Sequence, residues 1–173
     1  LEQLKTDYVN NTFDYETAMS QLNEIGSVGA ALSNYLDVRT FLSDLHSSRT
    51  AYEQAESFLA NGDYVEAIRY YEQVKDIDAN YNDAQEKLSA SKESYKQKIV
   101  SQAEEYIASG KYAEAVGILN SSLDILDQDS ELQTLIITYK KESLSLSLQA
   151  YEESGDYAGA IAFGKTVQAE IDA

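Results

Sequence analysis

Residues 55–77 read AESFLANGDYVEAIRYYEQVKDI, and residues 103–125 read AEEYIASGKYAEAVGILNSSLDI. Set against each other without gaps, they share nine identities in 23 positions, among them Ala55/Ala103, Glu56/Glu104, Gly62/Gly110 and Ile77/Ile125. A signature of Tyr, two variable residues, Ala and a large apolar residue occurs four times: residues 14–19, 63–68, 111–116 and 156–161. Its tyrosines (Tyr15, Tyr64, Tyr112 and Tyr157) are 49, 48 and 45 residues apart. Three copies carry Gly two places before the Tyr (Gly62, Gly110, Gly155), and the first carries Phe13 there. Self-similarity at a fixed period is the mark of a repeat architecture and takes precedence over other readings.

Upstream of each Gly, apolar residues step by four and three: Ala51, Ala55, Phe58; Ile99, Ala103, Tyr106; Leu144, Leu148, Tyr151. Such spacing puts each trio on one face of a helix. Gly then closes the helix in the left-handed conformation. Asp63 and Asp156 stand where a carboxylate caps the next helix. Downstream, Tyr64, Ala67, Ile68, Tyr71, Val74 and Ile77 make a second stripe, matched by Tyr112, Ala115, Val116, Leu119 and Leu123. Each unit is therefore a helical hairpin with a tight turn.

This pattern resembles the tetratricopeptide repeat (TPR), a family of paired helices that stack into a superhelix, over most of residues 51–173 with a weaker copy at 1–28. The small residue of the family's first helix matches Ala55 and Ala103, with Leu148 departing. Its aromatic matches Phe58, Tyr106 and Tyr151. The second-helix Ala matches Ala67, Ala115 and Ala160, and the large residue four places later matches Tyr71 and Leu119, with Gly164 departing. The opening Trp is replaced by Ala51, Ile99 and Leu144, and the closing Pro by Ala79 and Asp127.

The chain has no Pro, where average usage of about 5% would give roughly eight. The lost Pro accounts for a period of 45–49 residues where the family has about 34. Residues 83–109 contain neither Gly nor Pro, and residues 129–154 are equally unbroken. The expectation is an all-α, TPR-like α-solenoid in which helices of roughly 25 residues alternate with helices of roughly 14. Residues 30–61 read as a further long helix, with Ser47-Ser48 as its candidate break and its start blurred by Gly26 and Gly29. The whole of 1–173 reads as one repeat domain cut from a longer protein, since it starts at Leu1 within a helical pattern. Val167 and Ile171 would then need a cap, a following domain or a partner.

The 173 residues carry a formal charge of −17, from 30 acidic and 13 basic side chains. The excess is spread evenly along the chain, so it is not an acidic tail. It disfavours nucleic acid and anionic membrane surfaces as partners. The longest apolar run, near Leu135–Ile137, is far too short to span a membrane. Without Cys there are no disulfides, thiolate metal sites or thiol nucleophiles, and a single His (His46) argues against zinc cages and His-based triads. Asp124, Asp127, Asp129 and Glu131 lack the Gly and the distant Glu of a calcium loop and read as a helix N-terminus capped by Asp127 or Asp129. Lys87, Lys92, Lys96 and Lys98 read as a solvated helix face balanced by Glu86 and Glu93. No Gly-rich phosphate loop is present. The expectation is thus no enzyme, no cofactor and no metal.

The family resemblance implies that ligands lie along an inner face built from first helices. Carried over, that face would hold Arg49, Tyr52, Glu56 and Leu59; then Gln97, Val100, Glu104 and Ile107; then Glu142, Ser145, Gln149, Glu152 and Glu153. Mostly acidic, with Leu59 and Ile107 as apolar points, it would suit a basic or amphipathic peptide. The expected function is a protein–protein interaction scaffold. Two alternatives stand beside it: a self-associating spacer, or an accessory domain of an exported bacterial surface lipoprotein or enzyme, a location compatible with the absence of Cys.

Overall fold

The structure, a computed structural model, describes residues 1–28, 34–78, 81 and 83–171. Among these residues there are eight helices and no strand: α1 (Glu2–Val9), α2 (Tyr15–Val28), α3 (Tyr35–Ala60), α4 (Tyr64–Tyr71), α5 (Ala84–Ala108), α6 (Tyr112–Ser122), α7 (Ser130–Ser154) and α8 (Tyr157–Ile171). The chain divides into two compact units, residues 1–95 and 96–173, and α5 contributes to both. Ala79 and Gly29, read above as a lost Pro and a helix breaker, lie outside the described residues.

The three long helices have 26, 25 and 25 residues, close to expectation. Two of the short ones fall below the expected 14, with 8 residues in α4 and 11 in α6. For α4 the reason is tertiary. The Lys75 N–H donates to Ser48 Oγ at 2.8 Å, which draws the backbone out of the helix and onto α3. Ser48 is itself buried. The candidate break at Ser47-Ser48 is therefore corrected, because α3 runs through it unbroken and Ser48 serves as an anchor. Gly26 likewise lies inside α2. A Cβ there would stand 2.6 Å from the Tyr35 ring, so its smallness admits the ring and does not end the helix.

The three Gly turns share one geometry. Gly62, Gly110 and Gly155 have φ of 73°, 73° and 71°. In each, the following N–H reaches back to the carbonyl of the aromatic of the first helix: Asp63 to Phe58 at 3.0 Å, Lys111 to Tyr106 at 2.8 Å, Asp156 to Tyr151 at 3.1 Å. This pair of features is a Schellman cap, which satisfies carbonyls a helix end would leave bare. Asp14, Asp63, Asp129 and Asp156 then cap α2, α4, α7 and α8 by accepting backbone N–H groups. Lys111 provides no side-chain cap for α6.

The small Ala positions let the helices close. Ala55 and Ala67 are fully buried in the first unit with Tyr71, Val74 and Ala84. A second cluster there joins α1, α2 and α3 through Leu4, Tyr8, Ala18, Leu22, Val38, Leu42 and Leu45. In the C-terminal unit Ala103, Ala115, Leu119, Leu132 and Ile136 are buried. The last copy departs. Tyr157, the counterpart of the stripe residue Tyr64, is 68% exposed and Ile161 is 62% exposed.

Candidate functional site

The proposed inner-face residues meet different fates in the two units. Arg49 is only 8% exposed. Its Nε pairs with Asp78 at 2.5 Å, Nη1 donates to Asn11 Oδ1 at 2.7 Å and to the Tyr8 carbonyl at 3.3 Å, and Nη2 donates to the Val9 carbonyl at 3.0 Å. The guanidinium also lies over the Tyr8 ring, 5.0 Å from its centroid. Arg49 therefore fastens the end of α1 to the segment after α4, and it is corrected from a surface contact to an internal clamp. Arg49 is one of two arginines in α3, beside Arg39, and nothing local in the helix gave a sign of this. Its partners lie 29 to 41 residues away.

Tyr52 and Glu56 are half-buried and committed to neighbours. The Lys87 ammonium donates to Tyr52 Oη at 2.7 Å and pairs with Glu56 at 2.8 Å. Tyr52 donates to Asp83 at 3.0 Å, and the Tyr71 hydroxyl donates to Glu56. Burial raises the Glu56 pKa, but the hydrogen bonds from Lys87 and Tyr71 outweigh it and hold the carboxyl below its ordinary value. For Lys87, burial opposes the charge, yet its bonds to Glu56 and Tyr52 lift its pKa above the usual lysine value. Leu59 is partly buried beside this cluster.

In the C-terminal unit the candidates stay open. Gln97, Glu104, Glu142, Ser145, Gln149, Glu152 and Glu153 are exposed, while Val100 and Ile107 are half-buried. Glu153 accepts from Gln149 at 2.8 Å. Tyr139 lies on α7 with Glu142, and the charges of Glu142 and of Glu104 on α5 both act on it. Burial is the main cause of that tyrosine's raised pKa, and the two carboxylates add to it.

Three lysines of α5, Lys87, Lys92 and Lys96, are corrected from a solvated stripe to tertiary ties. Lys92 pairs with Glu72 at 3.0 Å, and Lys96 with Asp129 at 3.1 Å and Glu131 at 2.5 Å. Asp129 is the cap of α7. Burial raises its pKa, but the Leu132 N–H and the Lys96 charge outweigh that and keep it low. His46 stacks on Tyr15 with 4.0 Å between centroids. A groove of about 520 Å³ lies among α6, α7 and α8, with Val116, Leu144, Phe163 and Val167 in its walls and Lys140 and Lys141 beside them. Among the described residues no group of three or more His, Cys, Asp or Glu is placed to hold a metal, and no helix is long and apolar enough to cross a membrane.

The Tetratricopeptide repeat family model matches residues 50–85, the stretch that holds the end of α3, all of α4 and the start of α5. No curated protein and no solved structure shows significant similarity to the chain. Repeats of this family generally mediate protein–protein interaction and are generally non-catalytic. The match supports a TPR-like helical repeat at residues 50–85, and the all-helical architecture around it is consistent with a TPR-like α-solenoid.

Proposed function

We propose that the chain is a non-catalytic scaffold that captures a basic or amphipathic peptide on the acidic surface of its C-terminal unit. The observation that carries this reading is the set of exposed carboxylates on α5 and α7 of this unit, among them Glu104 and Glu142, whose charges both act on Tyr139. Glu152 lies exposed further along α7, beyond Gln149. Desolvating such acids against lysines or arginines gives specificity and a fast on-rate more than raw affinity. In the N-terminal unit, Glu56 already spends its charge on Lys87, so the binding surface is narrower than the full inner face carried over from the family.

The test is capture of a lysine- and arginine-rich peptide by the full chain, measured by calorimetry at low salt. Glu104→Lys with Glu142→Lys should weaken binding by roughly tenfold or more. Unchanged affinity in that variant sinks the assignment.

A second reading, self-association, is favoured by the open groove around Val116 and Val167 and by the exposed Tyr157 and Ile161. Light scattering over a wide concentration range decides it. A dimer that Val167→Asp disperses supports this reading, and a 19.2 kDa monomer throughout rejects it.

A further inference from the structure

The N-terminal unit contains a cavity of about 330 Å³ among α1, α2 and α3, which shares no residue with the acidic surface just described. Its volume is within the range of side-chain and small-ligand pockets. The walls are aromatic: Phe13, Tyr15, His46 and Tyr81 line it. Tyr15 and His46 lie parallel, 6° apart, and form a flat double layer. Arg49 lies at the inner side, neutralised by Asp78 and occupied by carbonyls.

Three further carboxylates line the same cavity, those of Asp14, Glu16 and Glu53. Asp14 caps α2 through Thr17, and those hydrogen bonds lower its pKa, so it stays ionised. Glu16 and Glu53 are exposed and have no ion pair among the described residues. With Arg49 and Asp78 cancelling, the cavity carries an uncompensated negative charge between aromatic faces. A weakly hydrated planar cation fits both features, since a guanidinium stacks on rings and accepts a carboxylate on its edge.

We infer that this cavity receives one arginine side chain of a basic peptide, stacked on the Tyr15–His46 pair and hydrogen-bonded to Glu16 and Glu53. The inference deepens the reading of a basic partner, but it uses different residues and stands or falls separately.

The experiment titrates the full ¹⁵N-labelled chain with Nα-acetyl-arginine amide and follows backbone shifts. Nα-acetyl-citrulline amide, of the same shape without the charge, is the control. Saturable shifts at Glu16, Thr50 and Glu53 with the arginine amide and not with the citrulline amide are expected. Glu16→Gln with Glu53→Gln should weaken that binding by roughly tenfold. The Glu104→Lys, Glu142→Lys chain should bind the arginine amide as the parent does, so loss of the acidic-surface reading leaves this result untouched. No saturable shift, equal shifts with citrulline, or unchanged affinity in the Gln variant would each overturn the inference. The citrulline arm uses the parent chain and so does not depend on how the variant folds.

Discussion

Ile68 and Ile161 stand at the same place in two copies of one repeat, each four residues after its Tyr, yet Ile68 is 2% exposed and Ile161 is 62% exposed. The two helices begin alike, with a Gly at positive φ and an Asp cap before them. The difference is one of packing. Around α4, Tyr71 and Val74 join Ala51, Ala55 and Ala84 in one cluster drawn from three helices. Along α8, Gly164 occupies the place of Tyr71, and the neighbouring groove stays open. A repeat signature thus specifies a helix and its turn, while burial of that helix depends on what its neighbours bring.

The sharpest way to break the comparison is at Arg49. Arg49→Met removes the guanidinium from the Asp78 carboxylate, 2% exposed at its side chain, and from the Tyr8 and Val9 carbonyls. The expected loss is about 3–5 kcal/mol by urea denaturation. Lys140→Met in the C-terminal unit, an exposed side chain, should stay within about 0.5 kcal/mol. Similar values for the two would mean that the clamp does not hold the N-terminal unit together.

Next in size is the matched pair itself. Ile68→Ala should cost about 2–4 kcal/mol, because it leaves a cavity in a packed interface. Ile161→Ala should change stability by no more than about 0.5 kcal/mol in a monomer. A large loss at Ile161 would reveal that its face is covered in solution, in favour of self-association.

The glycines offer a test that should not distinguish the copies. A Cβ at Gly62, Gly110 or Gly155 meets nothing within 4 Å, so only backbone strain opposes Ala. Each substitution should cost about 1–2 kcal/mol. Unequal costs would show that the last hairpin is not held in the same way.

The smallest effect concerns pH. Glu56 has a folded pKa below its unfolded value, so its stabilisation is present above the ordinary glutamate pKa of about 4.3 and is lost as pH falls through the folded value. Asp14 and Asp129 act in the same direction. Glu56→Gln should therefore flatten, without abolishing, the fall in stability below about pH 4.3, followed by thermal melts at several pH values. An unchanged slope would mean that the Lys87 pair contributes nothing in solution.

Much of the architecture could be read from local pattern. A Gly between two apolar stripes of helical spacing leaves few options other than a hairpin, and Asp after that Gly has an obvious use at a bare helix start. Those features act over five or six residues, so the chain displays cause and effect together. The candidate site was less legible. Family positions marked Arg49, Tyr52 and Glu56 as a surface, but each finds a partner far along the chain: Asp78, Asp83 and Lys87. Lys92 and Lys96 looked balanced by their own helix and instead bind Glu72 and Asp129.

Repeat identity, helix type, turn geometry and the all-helical class thus follow from residue order, because backbone conformation and capping are local. Which carboxylates remain free, which cation goes inside and which apolar stripe stays open were decided by tertiary structure. Charge and burial are settled by the groups that packing brings within a few ångströms, and those groups come from distant parts of the chain.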